Sequence, residues 1–147
     1  MRTVRDEEGT VYVLLRESSD TSLVRDPTTG ETTHLPNASL EPVSGESPLS
    51  VAATAVPEPV RAVLTAVHDE RTLGLLVELV DRERVPAREL LEAVDLCESD
   101  LHGALSEFRA AGLLEEATVD GRRGYAVTDR ARRGIRSIRD EEWSDET

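Results

Sequence analysis

The chain has 147 residues, enough for one domain or two small ones. Its 30 acidic residues outnumber 17 basic ones, every one of them Arg, for a formal charge of -13. With aromatics confined to Tyr12, Phe108, Tyr125 and Trp143, any core must be built from Leu, Val and Ala, and no apolar run approaches the roughly 20 residues of a membrane helix.

Residues 1–43 read as strands and turns. Val11-Tyr12-Val13-Leu14-Leu15 is β-prone, Leu23-Val24-Arg25 runs into the turn Asp26-Pro27-Thr28-Thr29-Gly30, and Thr32-Thr33-His34-Leu35 and Leu40-Glu41-Pro42-Val43 follow. The expectation is a small antiparallel meander, too small to stand without packing on something else. Residues 44–57, with Ser, Gly, Pro and Ala, read as a linker. From Pro59 the apolar spacing becomes helical: Val60, Val63, Leu64 and Val67 in one helix, Leu73, Leu76, Val77 and Val80 in a second over about 70–82. Pro86 opens a third helix with Leu90, Leu91 and Val94. Asp95-Leu96-Cys97 then turns into a fourth, from Glu98 to Ala111, which buries Leu101, Leu105 and Phe108 and stops at Gly112. Two strands, 113–119 and 125–128, flank Asp120-Gly121-Arg122-Arg123-Gly124, and a last helix covers 129–143 with Ala131, Ile135 and Ile138 inward. A helical domain over 58–143 thus follows the β module, with an acidic tail at 144–147.

Charge is not spread evenly. Residues 119–139 hold seven Arg against Asp120 and Asp129, inside an otherwise acidic chain. A Lys-free, carboxylate-rich composition points to an extreme halophile, where molar salt shortens the Debye length to about 3 Å. Such screening removes the long-range repulsion that keeps acidic proteins away from nucleic acid.

The order helix, short helix, tight turn, helix and basic hairpin is carried by Val85-Pro86-Ala87-Arg88-Glu89-Leu90-Leu91, by Leu101 through Ala110-Ala111-Gly112-Leu113-Leu114, and by Tyr125-Ala126-Val127-Thr128-Asp129. Over residues 70–139 the chain resembles archaeal, particularly haloarchaeal, winged helix-turn-helix transcription regulators. The resemblance implies an α+β fold, a winged helix-turn-helix beside a small N-terminal antiparallel β module. It also implies a protein that binds double-stranded DNA, with helix 98–111 in the major groove and the wing on the phosphates; a start without the apolar core of a signal peptide and a single Cys make a cytoplasmic protein the expectation.

On that helix the candidates for base contact are Ser99, His102, Gly103, Ser106 and Arg109, although Glu98 and Asp100 are poor neighbours for phosphates. Candidates for phosphate contact are Arg122 and Arg123 at the hairpin, then Arg130, Arg132, Arg133 and Arg136. The bland alternative is that these arginines pair with nearby carboxylates. Cys97, at the start of the fourth helix, is a candidate redox-sensitive thiol. His34, His68 and His102 lack ligand spacing, and no phosphate loop or nucleophile motif occurs, so no metal, cofactor or catalytic residue is expected. A homodimer is expected, with one of the helices 58–68 and 129–143 packed internally and the other across the interface. The β module is the candidate surface for a protein partner. The rival reading is a winged-helix protein–protein interaction module whose basic strip docks an acidic partner.

Overall fold

The computed structural model describes residues 1–140. Residues 141–147, with Trp143, the end of the expected last helix and the expected acidic tail, lie outside the described residues. The chain divides into two compact units, one spanning Met1–Pro57 and the other beginning at Glu58.

In the first unit, β1 (Arg2–Arg5), β2 (Val11–Glu17), β3 (Thr21–Arg25) and β4 (Thr32–Pro36) form an antiparallel meander. A two-residue β5 (Glu41–Pro42) comes back to pair with β1, giving the order β4-β3-β2-β1-β5. The β1–β2 turn is fixed locally: the Asp6 carboxylate accepts from the amides of Glu8 and Thr10, both at 2.9 Å. Alternation then sends Val4, Leu14 and Val24 to one buried cluster with Tyr12, Leu35 and Leu40. Thr3 and Val13, paired in register, are buried as well. Residues 44–57 are more than the connector expected from sequence. They contain α1 (Pro48–Ala53), capped by the Ser47 hydroxyl on the Leu49 amide at 3.2 Å, which packs on β1 and β2 and buries Val51. Six residues are too few to show a helical period in the sequence.

The second unit runs α2 (Glu58–Ala66), α3 (Glu70–Arg82), β6 (Arg84–Pro86), α4 (Ala87–Ala93), α5 (Glu98–Ala110), β7 (Leu114–Val119), β8 (Arg122–Val127) and α6 (Asp129–Asp140). The helices lie where the apolar spacing put them. Strand β6 is the addition: it pairs antiparallel with β8, so the sheet order is β6-β8-β7. A three-residue strand with one apolar side chain, Val85, leaves no alternation to read. Its contact with β8 needs a glycine, because a Cβ at Gly124 would run into the Val85 carbonyl and come within 2.9 Å of Pro86 Cα.

Gly112 ends α5 at φ +74, with the Leu113 amide donating to the Phe108 carbonyl at 2.9 Å. The hairpin is tighter than the five-residue loop expected. Asp120 and Gly121, at φ 51 and 76, make a two-residue turn, and Arg122 and Arg123 are already paired strand residues opposite Val119 and Thr118. Consecutive strand residues point to opposite faces, so these two arginines do not act as one tip.

Helices α2 and α6 correct the expected division between protomer and dimer. They pack against each other within this unit, with Val63, Ala66, Ala131 and Ile135 all in one core. Gly134 allows the approach: a Cβ there would strike the Pro59 carbonyl and lie 2.7 Å from Val63 Cγ2. What stays open on α2 is Leu64, 56% exposed. Gly134→Ala is therefore expected to cost about 1–3 kcal/mol by overpacking. Gly103→Ala, whose Cβ meets nothing within 4 Å, is expected to gain about 0.5–1 kcal/mol of helix stability. Denaturant unfolding in concentrated salt measures both, and equal responses would contradict the close α2–α6 contact.

Candidate nucleic-acid interface

The rotation of α5 is set by its buried face, Leu101, Ala104, Leu105 and Phe108. The opposite face presents Ser99, His102, Gly103, Ser106 and Arg109, all exposed. The line through Ser99, Gly103 and Ser106 is smooth and neutral, and open space above Gly103 leaves room for another chain to come close. On either side are charges. Glu98 lies 3.6 Å from His102, Glu107 pairs with His68, and Arg109 lies 3.3 Å from Glu116 of β7.

Two contacts fix where α5 starts. The Arg71 guanidinium donates to the Asp95 carbonyl at 2.7 Å, tying α3 to the 94–97 turn. Cys97 is exposed and occupies the N-cap, its sulfur accepting from the Asp100 amide at 3.4 Å. At the start of α3, Asp69 and Thr72 form a reciprocal cap: the Asp69 carboxylate accepts from the Thr72 amide at 2.8 Å, and the Thr72 hydroxyl accepts from the Asp69 amide at 3.2 Å.

The basic strip is less free than its composition implies. Arg123 pairs with Glu116 at 3.3 Å, Arg130 with Glu58 at 2.9 Å, and Arg139 with Asp81 at 2.6 Å. Arg132 and Arg133 both lie 3.9 Å from Asp129. Arg130 also donates to the Ala111 carbonyl at 3.0 Å and Arg132 to the Val127 carbonyl at 3.2 Å, so both brace the backbone around the α5 exit and the β8 end. Among the described residues only Arg122 and Arg136 of the strip make no ion pair. Arg136 lines a cleft of about 260 Å³ between α3 and α6, together with Arg132, Arg139, Asp81 and Glu83.

The candidates thus fall into three places. Ser99, His102, Gly103, Ser106 and Arg109 share one face of α5, and Arg123 is brought to that face through Glu116. Arg122 points away from Arg123 across the hairpin. Arg132, Arg133 and Arg136 lie along α6. Sequence reasoning missed Glu116, Glu58 and Asp81, because each meets its arginine only through tertiary pairing.

Among the described residues, two groups titrate away from their ordinary values. Burial, then the neighbouring Asp6 carboxylate, pushes the Tyr12 hydroxyl up. Hydrogen bonds from Thr72 hold the Asp69 carboxyl down. Among the described residues, no group of three or more His, Cys, Asp or Glu side chains is placed to hold a metal ion, and no helix is long and apolar enough to cross a membrane.

The profile of a family of unknown function, DUF7346, matches residues 1–139. The chain belongs to DUF7346. No curated protein matches it. Among solved structures it is similar to the crystal structure of an ArsR family transcriptional regulator, at 16% identity and a TM-score of 0.41, over 63% of this chain and 97% of that one.

In this DUF7346 chain the Asp69 cap yields a pH signature. Its carboxyl is depressed below the ordinary 3.8, so the stability it contributes is fully present above that pH and lost as pH falls through the lowered folded value. Asn caps as well as Asp without titrating. The stability of the wild type relative to Asp69→Asn is expected to fall on acidification below pH 3.8, and parallel pH curves would contradict the assignment.

Proposed function

We propose that the second unit of this DUF7346 protein is a winged helix-turn-helix domain and that the protein is a DNA-binding transcription regulator. In this reading α5 enters the major groove and the β7–β8 wing lies on the phosphate backbone. The observation that carries it is the α5 face: a neutral, small-residue line of Ser99, Gly103 and Ser106, with His102 and Arg109 beside it, next to a hairpin that bears Arg122 and Arg123. Small hydroxyls at the bottom of a groove can reach base edges, and the bare Gly103 lets the helix sink in. Arg122, Arg123, Arg133 and Arg136 serve as phosphate contacts, and Arg130 and Arg132 chiefly as braces. No catalytic residue, metal or cofactor enters this reading.

The carboxylates on α5 fit the same reading under the salt that the composition implies. At molar ionic strength the Debye length is about 3 Å, so Glu98, Asp100 and Glu107 repel only phosphates they nearly touch. We place the protein in the cytoplasm of a halophilic archaeon and expect it to act as a homodimer, as groove-reading helices commonly do. Since the α2 and α6 stripes are used within the chain, the exposed Leu64 is the apolar residue on α2 left for that contact.

A second reading, a protein–protein interaction module, is favoured by one observation: most arginines of the basic strip already hold carboxylates, and α5 begins with Glu98 and Asp100. Selection from a random pool of duplexes, repeated from dilute buffer to molar KCl, separates the two. Enrichment of a common motif supports the regulator, and no retained duplex at any salt supports the interaction module. Arg122→Ala is expected to weaken all duplexes by a similar factor. Ser106→Ala is expected to change the preference among sites by about 1–3 kcal/mol per lost base contact. Uniform weakening by Ser106→Ala as well would remove α5 from the groove.

A further inference from the structure

Glu116 is the one carboxylate in the described residues that two of the candidate DNA-contacting arginines share across three elements. Its Oε1 lies 3.3 Å from Arg109 of α5 and 3.3 Å from Arg123 of β8, while Glu116 itself stands on β7. Two guanidiniums from the recognition helix and the wing therefore converge on a single oxyanion. A backbone phosphate asks for the same geometry: charged fork donors arriving from two sides on a negative oxygen. We propose that the Arg109–Arg123 pair is a phosphate-binding clamp and that Glu116 occupies it in the free protein as an internal stand-in for the phosphate. The proposal rests on the DNA-binding reading above and adds to it a residue that sets affinity.

The contacts are weak enough to yield. All three side chains are well exposed, at 47% for Arg109, 44% for Glu116 and 81% for Arg123. Exposed ion pairs of this kind contribute little and weaken further in salt. An arriving phosphate, held by charge-assisted bonds from both arginines, can displace the carboxylate by a side-chain rotation that leaves the sheet intact. Glu116 lowers affinity in two ways: it must be displaced, and its charge remains beside the bound phosphate. The contact also keeps the two arginines from pairing elsewhere, so the clamp is assembled before DNA arrives. Glu115 is a built-in control. It is the adjacent residue on β7, exposed, opposite Ala126 and on the other face of the strand, and it makes no ion pair among the described residues.

The test compares Glu116→Gln with Glu115→Gln in the full chain, titrated against a random-sequence duplex over a series of KCl concentrations. Both variants remove one negative charge, and only the first opens the clamp. Glu116→Gln is expected to bind about fivefold more tightly than wild type, the scale of one exposed ion pair. Its dependence on salt should steepen by about one phosphate contact, and adding Arg123→Ala should cancel the gain. Glu115→Gln should show a clearly smaller gain and no change in salt slope. If wild type binds and the two variants behave alike, or if Glu116→Gln binds more weakly with an unaltered unfolding midpoint, the clamp is overturned and the DNA reading stands. If none of the three binds duplex at any salt, the DNA reading falls and the clamp with it.

Discussion

Burial of one face of α5 is the constraint on which the rest of the second unit depends. Phe108 is the sole phenylalanine, sealed among Leu76, Leu79, Leu90, Leu113 and Ile135 in a core otherwise aliphatic. With Leu101 and Leu105 also buried, the helix cannot rotate without exposing its largest side chain. Truncation of a buried Phe typically costs about 3–5 kcal/mol, a large part of a small domain's stability. That energy fixes which side chains stand outward. Ser99, Gly103 and Ser106 face solvent because Leu101, Leu105 and Phe108 do not. The Arg71 contact to Asp95 and the glycine stop at Gly112 then set where along its axis the helix begins and ends.

The second organising feature is competition for arginine. The chain has nearly twice as many carboxylates as cations, and the fold brings acids from distant elements onto a strip that is basic in sequence. Glu58, Asp81 and Glu116 each come from an element outside α6. Two arginines of the strip also have a mechanical side. Arg130 grips the end of α5 through the Ala111 carbonyl, and Arg132 holds the Val127 carbonyl where β8 ends. Such arginines support the β7–β8 hairpin and the helix rather than offer themselves to a ligand. Those that make no ion pair among the described residues, Arg122 on the hairpin and Arg136 on α6, are spread over the surface rather than gathered at one tip. Exposed pairs of this kind are screened and easily exchanged at high salt.

The sequence showed some of this plainly. The helices α2 to α6 announce themselves by apolar residues at a spacing of three and four, and Gly112 and Asp120-Gly121 mark their stops and turns. The candidate face of α5 followed from the same periodicity, since naming the buried stripe names its opposite. The short elements were illegible: β6 has one apolar side chain and α1 fewer than two turns, so each is held by its neighbours rather than by its own pattern. The ion pairs were equally hidden, because Arg139 and Asp81 lie 58 residues apart. Composition showed a basic strip, but only tertiary pairing reveals which of its charges are committed. The two-residue hairpin turn also split Arg122 from Arg123, a consequence of strand geometry that a five-residue loop would have avoided.

Amide hydrogen exchange of the full chain, with and without a random-sequence duplex at molar KCl, is the most direct test of whether α5 and the β7–β8 hairpin meet DNA. Slower exchange is expected over Ser99–Arg109 and Glu116–Arg123 when DNA is present, with little change in residues 1–57. Protection confined to residues 1–57, or to α2 and α3, would show that nucleic acid is met by a different surface and would contradict the assignment of α5 and the wing.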